Sequence, residues 1–148
     1  MTLDEALKIR SGRKLVFTNG VFDILHAGHV QYLQAARRLG DLLIVGVNSD
    51  ESVRMLGKGP DRPVNPLEDR ISVLEGLGCV DGAVGFSEHT PIRLIELLRP
   101  EVHVKGGDYK VDDLPETSVV SAYGGEVVIL PLLVGRSTTS ILDRLGSD

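Results

Sequence analysis

Thr18-Asn19-Gly20-Val21-Phe22-Asp23-Ile24-Leu25-His26-Ala27-Gly28-His29 is the stretch on which the fold of this chain turns. Its first residue closes a β-rich apolar run, Leu15–Thr18, and beyond it Val30, Leu33, Ala36 and Leu39 recur at helical spacing. A strand, a turn carrying Gly20, and a helix opening near Gly28 make the first half of a βαβ unit. Glycine at those two places lets backbone come close to a ligand. The unpaired N–H groups and the dipole at a helix start favour phosphate there. His26 and His29, three residues apart, can converge on one phosphoryl group and donate hydrogen bonds to oxygens whose charge grows as the phosphorus becomes five-coordinate.

The same alternation runs outward to both ends. Further strands are predicted over Leu42–Val47, Gly82–Gly85, Glu101–Val104 and Val127–Leu130, mostly compact apolar runs of the kind buried on both faces of a parallel sheet. Helical stripes lie between them. Gly40 is placed to end the first; Leu67, Ile71, Leu74 and Leu77 form a second, and Ile92, Ile95 and Leu98 a third between Pro91 and Pro100. Ile141, Leu142 and Leu145 predict a final short helix, and Leu3, Leu7 and Ile9 a short one in the polar Met1–Arg13 segment. The result is one α/β domain with a five-stranded parallel sheet over residues 14–148, preceded by an extension of residues 1–13. Ligands of such sheets sit beyond the carboxyl ends of the strands, where strand order reverses. The Gly57–Pro66 connection, with two glycines, three prolines and no apolar period, reads as a mobile functional loop.

Composition narrows the function. The 148 residues suit one domain, and 42% hydrophobic with 25% charged residues is ordinary for a soluble fold. Sixteen basic against 21 acidic residues leave a net charge of −5, which argues against nucleic acid or an anionic membrane as partner. The single cysteine, Cys79, excludes an internal disulfide, Met1–Arg13 lacks a signal peptide's apolar stretch, and no run approaches the length of a membrane span. A cytoplasmic setting is expected.

Other readings of the histidine pair stand beside the phosphate one. His26 and His29 are also compatible with ordinary half-buried histidines or with metal ligation. The latter lacks partners, since Cys79 falls far along the chain and no Cys-x-x-Cys occurs. A dinucleotide-binding domain lacks its Gly-x-Gly-x-x-Gly after the first strand.

The run Thr18-x-Gly20-x-Phe22-Asp23-x-x-His26-x-Gly28-His29, the late Gly135-x-Ser137-Thr138-Thr139 and the strand pattern between them resemble the cytidylyltransferase-like nucleotidyltransferases, from Lys14 onward. Within that family, Arg62-Pro63-Val64-Asn65-Pro66-Leu67-Glu68-x-Arg70 and Val104-Lys105-Gly106-Gly107-Asp108-Tyr109 are similar to the nucleotidyltransferase half of bacterial ADP-heptose synthases. A stand-alone nucleotidyltransferase is expected. The resemblance implies a Rossmann-like fold and Mg²⁺-dependent transfer of a nucleoside monophosphate to a sugar phosphate, with release of pyrophosphate. It implies ATP and a sugar 1-phosphate as partners, the ion held mainly by the nucleotide's phosphates, and leaves room for a homodimer.

Residue by residue, it implies Val21 and Phe22 against the nucleotide, His26, Gly28 and His29 on its phosphates, and Asp23 holding the turn. Lys58 becomes a clamp on the reacting phosphates, with a solvated loop lysine as its alternative. Arg70 becomes a ligand of the acceptor's phosphate, or else an exposed helix-face residue. Lys105 is expected at the substrate and Asp108 at sugar hydroxyls, although a β-turn alone explains the adjacent glycines. Ser137, Thr138 and Thr139 combine hydroxyls with free N–H groups at a helix start and suit the β and γ phosphates, beyond what a simple cap needs. Cytidylyltransferases carry an arginine before this motif; here Leu132 stands there and Arg136 is the nearest substitute.

These expectations converge on transfer of AMP from ATP to D-glycero-β-D-manno-heptose 1-phosphate. A CTP-dependent enzyme acting on glycerol 3-phosphate or a related alcohol phosphate is the alternative within the family. A nucleotide-binding module without turnover is disfavoured by the intact His-x-Gly-His.

Overall fold

The computed structural model describes residues 1–57, 59–131 and 138–146. Five parallel strands, β1 (Leu15–Gly20), β2 (Leu42–Asn48), β3 (Gly82–Phe86), β4 (Val102–Gly106) and β5 (Glu126–Leu130), stand in the order β3-β2-β1-β4-β5. Each expected strand is present. β1 runs two residues further than its apolar run, because Asn19 and Gly20 still pair with Gly46 and Val47. β4 starts after Glu101, whose carboxylate instead takes the Leu15 N–H at 2.7 Å and the Arg10 guanidinium at 3.0 Å.

The helices are α1 (Leu3–Arg10), α2 (Ala27–Arg37), α3 (Asp50–Met55), α4 (Leu67–Glu75), α5 (Ile92–Leu98), α6 (Pro115–Ala122) and α7 (Thr138–Gly146). Leu33 and Ala36 of α2 and Leu74 of α4 bury against Val16, Val45 and Val104 on one face of the sheet. Ala6 of α1, Ile95 of α5 and Val120 of α6 cover the other, against Leu15, Phe17 and Ile44. A side chain as fully buried as Leu33 or Ile95 stabilises the fold by about 2–3 kcal/mol.

Two helices, α3 and α6, were not expected. α3 has only six residues and is anchored by the Ser49 hydroxyl accepting from the Ser52 N–H at 3.2 Å. α6 is rich in β-branched and small residues and starts with Pro115, so local pattern alone identifies it weakly. Gly40 does not end α2, which stops at Arg37; a Cβ at residue 40 would lie 2.8 Å from the Lys14 carbonyl, so close approach explains the glycine.

The strand order reverses between β1 and β4. β1 pairs with β2 from Leu15 to Gly20, but with β4 only at Val16–Val102 and Phe17–His103. Beyond Phe17 the two strands part, and the Thr18 and Tyr32 hydroxyls donate to the Val104 carbonyl at 2.9 and 3.2 Å. This leaves a crevice at the carboxyl edge, where ligands of open α/β sheets bind.

Candidate active site

β1 delivers the chain into a tight turn at that edge. Val21 and Phe22 are buried, and Phe22 adopts φ 50, a left-handed conformation that costs a non-glycine residue of order 1 kcal/mol. Two buried polar side chains over-determine the turn. The Asp23 carboxylate accepts from the Val64 N–H at 2.7 Å, the Asn65 N–H at 2.9 Å and Arg62 Nε at 3.1 Å, while Asn65 Nδ2 donates to the Asp23 carbonyl at 2.8 Å. Asp23 thus holds the turn and ties Arg62–Asn65 to it. That half of the Gly57–Pro66 connection is pinned rather than a freely moving surface loop.

Arg70 secures the turn from behind, and here the expectation is corrected. It is 1% exposed, so it does not stand on a solvent-facing helix side, and four acceptors within the protein occupy its guanidinium. Its Nε donates to the Asn65 carbonyl at 2.9 Å, Nη1 to the Val21 and Asn48 carbonyls at 2.8 and 2.7 Å, and Nη2 to the Asp50 carboxylate at 2.7 Å. The rigid guanidinium fork joins β1's turn, the end of β2, α3 and the head of α4 at one point, which a lysine's single ammonium cannot do. Arg70 is a positioning residue.

His26 and His29 meet at the head of α2, with ring centroids 4.0 Å apart. His26 is the N-cap: its Nδ1 accepts from the Gly28 N–H at 3.0 Å, and His29 Nδ1 accepts from the His26 N–H at 3.2 Å. Imidazoles replace the usual hydroxyl and carboxyl of a reciprocal cap. The chemical consequence is a tautomer. A neutral ring whose Nδ1 accepts carries its proton on Nε2, so both rings become Nε2–H donors at a helix N-terminus. Phe22, with its ring centroid 5.6 Å from that of His29, keeps the second imidazole in place.

Across the crevice, Lys105 lies in β4 with its Nζ 3.8 Å from Glu116 Oε1 and 5.4 Å from the Tyr109 ring centroid. Gly107, at φ 121, allows the turn after β4, and its N–H donates to the Leu130 carbonyl at 3.1 Å. Asp108 beyond it is exposed. Behind Lys105, His103 is fully buried against Phe17, and burial, opposed by nearby Glu116, holds its imidazole down at about 4. Tyr32 is pushed up to about 12 by burial, against the smaller effect of the Thr18 hydrogen bond, and stays a neutral donor.

The turn thus gathers Val21, Phe22, His26, Gly28 and His29, with Lys105 on the neighbouring strand and Asp108 beyond the turn that follows it. Lys58, Leu132, Arg136 and Ser137 lie outside the described residues, and Thr138 and Thr139 open α7 without described side chains. Sequence reasoning missed Asn19, His103 and Glu116, all placed around the crevice. The available signal was an ionisable residue, His103, inside an otherwise apolar strand run. Among the described residues no group of three or more His, Cys, Asp or Glu side chains is placed to hold a metal ion, and no helix is long and apolar enough to cross a membrane.

The profile of the cytidylyltransferase-like family matches residues 17–131. The chain is 57% identical over 136 residues to a D-beta-D-heptose 1-phosphate adenylyltransferase of Bordetella bronchiseptica, covering 92% of this chain and 84% of that one. It is 57% identical over 134 residues to the bifunctional protein HldE of Pseudomonas aeruginosa, of which it spans only 28%. Among solved structures, a lipopolysaccharide core biosynthesis protein from Thermoplasma volcanium superposes with a TM-score of 0.69 at 32% identity, over 82% of this chain and 98% of the other. Pantothenate synthetase from Thermus thermophilus, at 18% identity and a TM-score of 0.61 over 96% of this chain and 68% of its own, shares the fold.

Proposed function

The chain belongs to the cytidylyltransferase-like family, and from that premise we propose that it transfers AMP from ATP to D-glycero-β-D-manno-heptose 1-phosphate, giving ADP-heptose and pyrophosphate. The observation that carries the chemistry is the paired-histidine cap of α2, which turns two imidazoles into Nε2–H donors beside a helix N-terminus.

An oxygen of the sugar phosphate attacks the α-phosphorus of ATP. The new P–O bond forms as the bond to the β-phosphate oxygen breaks, and pyrophosphate leaves with the electron pair. No covalent enzyme intermediate and no general base are required, because the nucleophile is already anionic. His26 and His29 donate to the phosphate oxygens on which charge accumulates, and Gly28, which lacks a side chain, admits the phosphate. Val21 and Phe22 line the nucleotide's approach, held there by Asp23 and Arg70. Lys58 closes on the reacting phosphates, and Arg136, Ser137, Thr138 and Thr139 receive the β and γ phosphates. Asp108 meets the nucleotide's ribose hydroxyls. Magnesium carried on the nucleotide's phosphates would supply charge neutralisation there, with no residue of this chain assigned to hold it.

Pyrophosphate release, screened with ATP and CTP against heptose 1-phosphate and glycerol 3-phosphate, tests this reading. Release with ATP and heptose 1-phosphate supports it; release only with CTP and glycerol 3-phosphate replaces it with the cytidylyltransferase alternative.

A further inference from the structure

Among the described residues, the buried side-chain polar atoms without a hydrogen-bond partner are Asn19 Oδ1, both ring nitrogens of His103 and Glu116 Oε2. They come from one neighbourhood. Asn19 follows Phe17 by two residues and shares its sheet face; Lys105 follows His103 in the same way, and Glu116 reaches Lys105 from the first turn of α6. Asn19 and Lys105 lie beyond the last β1–β4 pair, Phe17–His103, on the face opposite α2, with Glu116 beside Lys105.

We infer that this crevice is the acceptor's sugar subsite, in which Glu116 and Asn19 accept hydrogen bonds from sugar hydroxyls and Lys105 donates one. The inference rests on the adenylyltransferase reading and assigns residues to its second substrate. A carboxylate only accepts, so an open oxygen on a residue that is 4% exposed calls for a ligand group that donates. A phosphate has no proton to offer and would meet the charge of Glu116, whereas a polyhydroxylated ring offers several groups that both donate and accept. Lys105 answers the need for a donor. Its Nζ stands 3.8 Å from Glu116, beyond hydrogen-bonding distance, and its side chain is 24% exposed beside the half-exposed Tyr109. Lys105 faces the other carboxylate oxygen, Oε1, so its ammonium stays beside Glu116 while Oε2 serves the sugar. His103, stacked on Phe17, forms the floor. The nucleotide phosphates at the head of α2 then approach from one sheet face and the acceptor from the other, meeting at the carboxyl edge of β1 as an in-line displacement requires.

The test compares Glu116→Gln and Asn19→Ala with the unmodified protein, using calorimetric binding of heptose 1-phosphate, separate KM values for sugar phosphate and ATP, and circular dichroism for folding. Replacing the charged acceptor by a neutral amide removes the charge assistance of that hydrogen bond, so Glu116→Gln weakens sugar-phosphate binding and raises its KM about tenfold, with the KM for ATP changing by less than about threefold. Asn19→Ala, at a half-buried position, moves the same two quantities in the same direction by a smaller factor. Acceptors lacking one hydroxyl each complete the cycle: the Glu116→Gln penalty disappears for the analogue that lacks Glu116's partner. Folded variants with unchanged sugar-phosphate binding overturn the subsite, as does a rise confined to the KM for ATP or a penalty equal for every analogue. Absence of turnover by the unmodified protein overturns the adenylyltransferase reading itself, and the subsite with it.

Discussion

Truncating Arg70 separates a residue that builds the site from one that touches substrate. Arg70→Ala strands the Val21, Asn48 and Asn65 carbonyls, each now held at 2.7–2.9 Å, and unpairs Asp50. Asp50 is about one-third exposed on its side chain, so water re-solvates it at small cost. The Val21 and Asn48 carbonyls, in buried bonds, have no such relief. At about 1 kcal/mol for each lost hydrogen bond, and more for the cavity left by a side chain that is 1% exposed, the loss comes to about 3–5 kcal/mol. A domain of this size loses about 2–4 °C in Tm per kcal/mol, so the melting midpoint should fall by roughly 6–20 °C. Arg70→Lys should fall between, since one ammonium cannot serve four directions. Thermal and urea unfolding measure this, with steady-state kinetics on the folded fraction. A midpoint within about 3 °C of the unmodified protein, together with a KM for sugar phosphate raised about tenfold, would refute the positioning role and restore Arg70 as a phosphate ligand.

His29→Ala removes an Nε2–H donor and should lower kcat by about two to four powers of ten, while the lost cap costs only about 1 kcal/mol of stability; wild-type turnover in the purified variant would exclude the role. Lys58→Ala should act mainly on kcat, because a clamp meets its partner as the phosphates approach the transition state. A large loss of ATP affinity at unchanged kcat would make Lys58 a ground-state binder. His103 sets a pH dependence of stability: its imidazole titrates at about 4 when folded against an ordinary 6.5, so the folded state binds fewer protons between those values. Its contribution is complete above about pH 6.5 and is lost progressively toward pH 4, a swing of about 3 kcal/mol. Urea midpoints from about pH 7.5 to 4.5 should therefore fall less steeply for His103→Asn; parallel slopes for the two proteins contradict it.

The sheet was legible because its strands are apolar runs with one meaning each, and Leu15–Thr18 or Leu42–Val47 have no helical alternative of similar quality. α3 escaped notice because six residues hold too little periodicity, and α6 because its buried side includes Glu116, a residue that pattern reading assigns to solvent. At the site, Asp23 read correctly as a turn residue, since a carboxylate shortly beyond a strand commonly meets backbone N–H groups. Arg70 misled for the opposite reason. A charged residue in a helix reads as exposed or ligand-facing, and only the three-dimensional convergence of three carbonyls and Asp50 shows why it is buried. The histidine tautomers were equally invisible, because reciprocal capping by two imidazoles depends on backbone geometry at the start of α2.

The most direct measurement is kcat/KM for ATP and for CTP, with heptose 1-phosphate as acceptor and magnesium present. Leu132 stands where the cytidylyltransferase pattern has arginine, and the relative of Bordetella bronchiseptica is an adenylyltransferase. ATP should therefore be preferred by at least about tenfold, near 1.4 kcal/mol, with ADP-heptose and pyrophosphate as products. Equal values, or a preference for CTP, would contradict it.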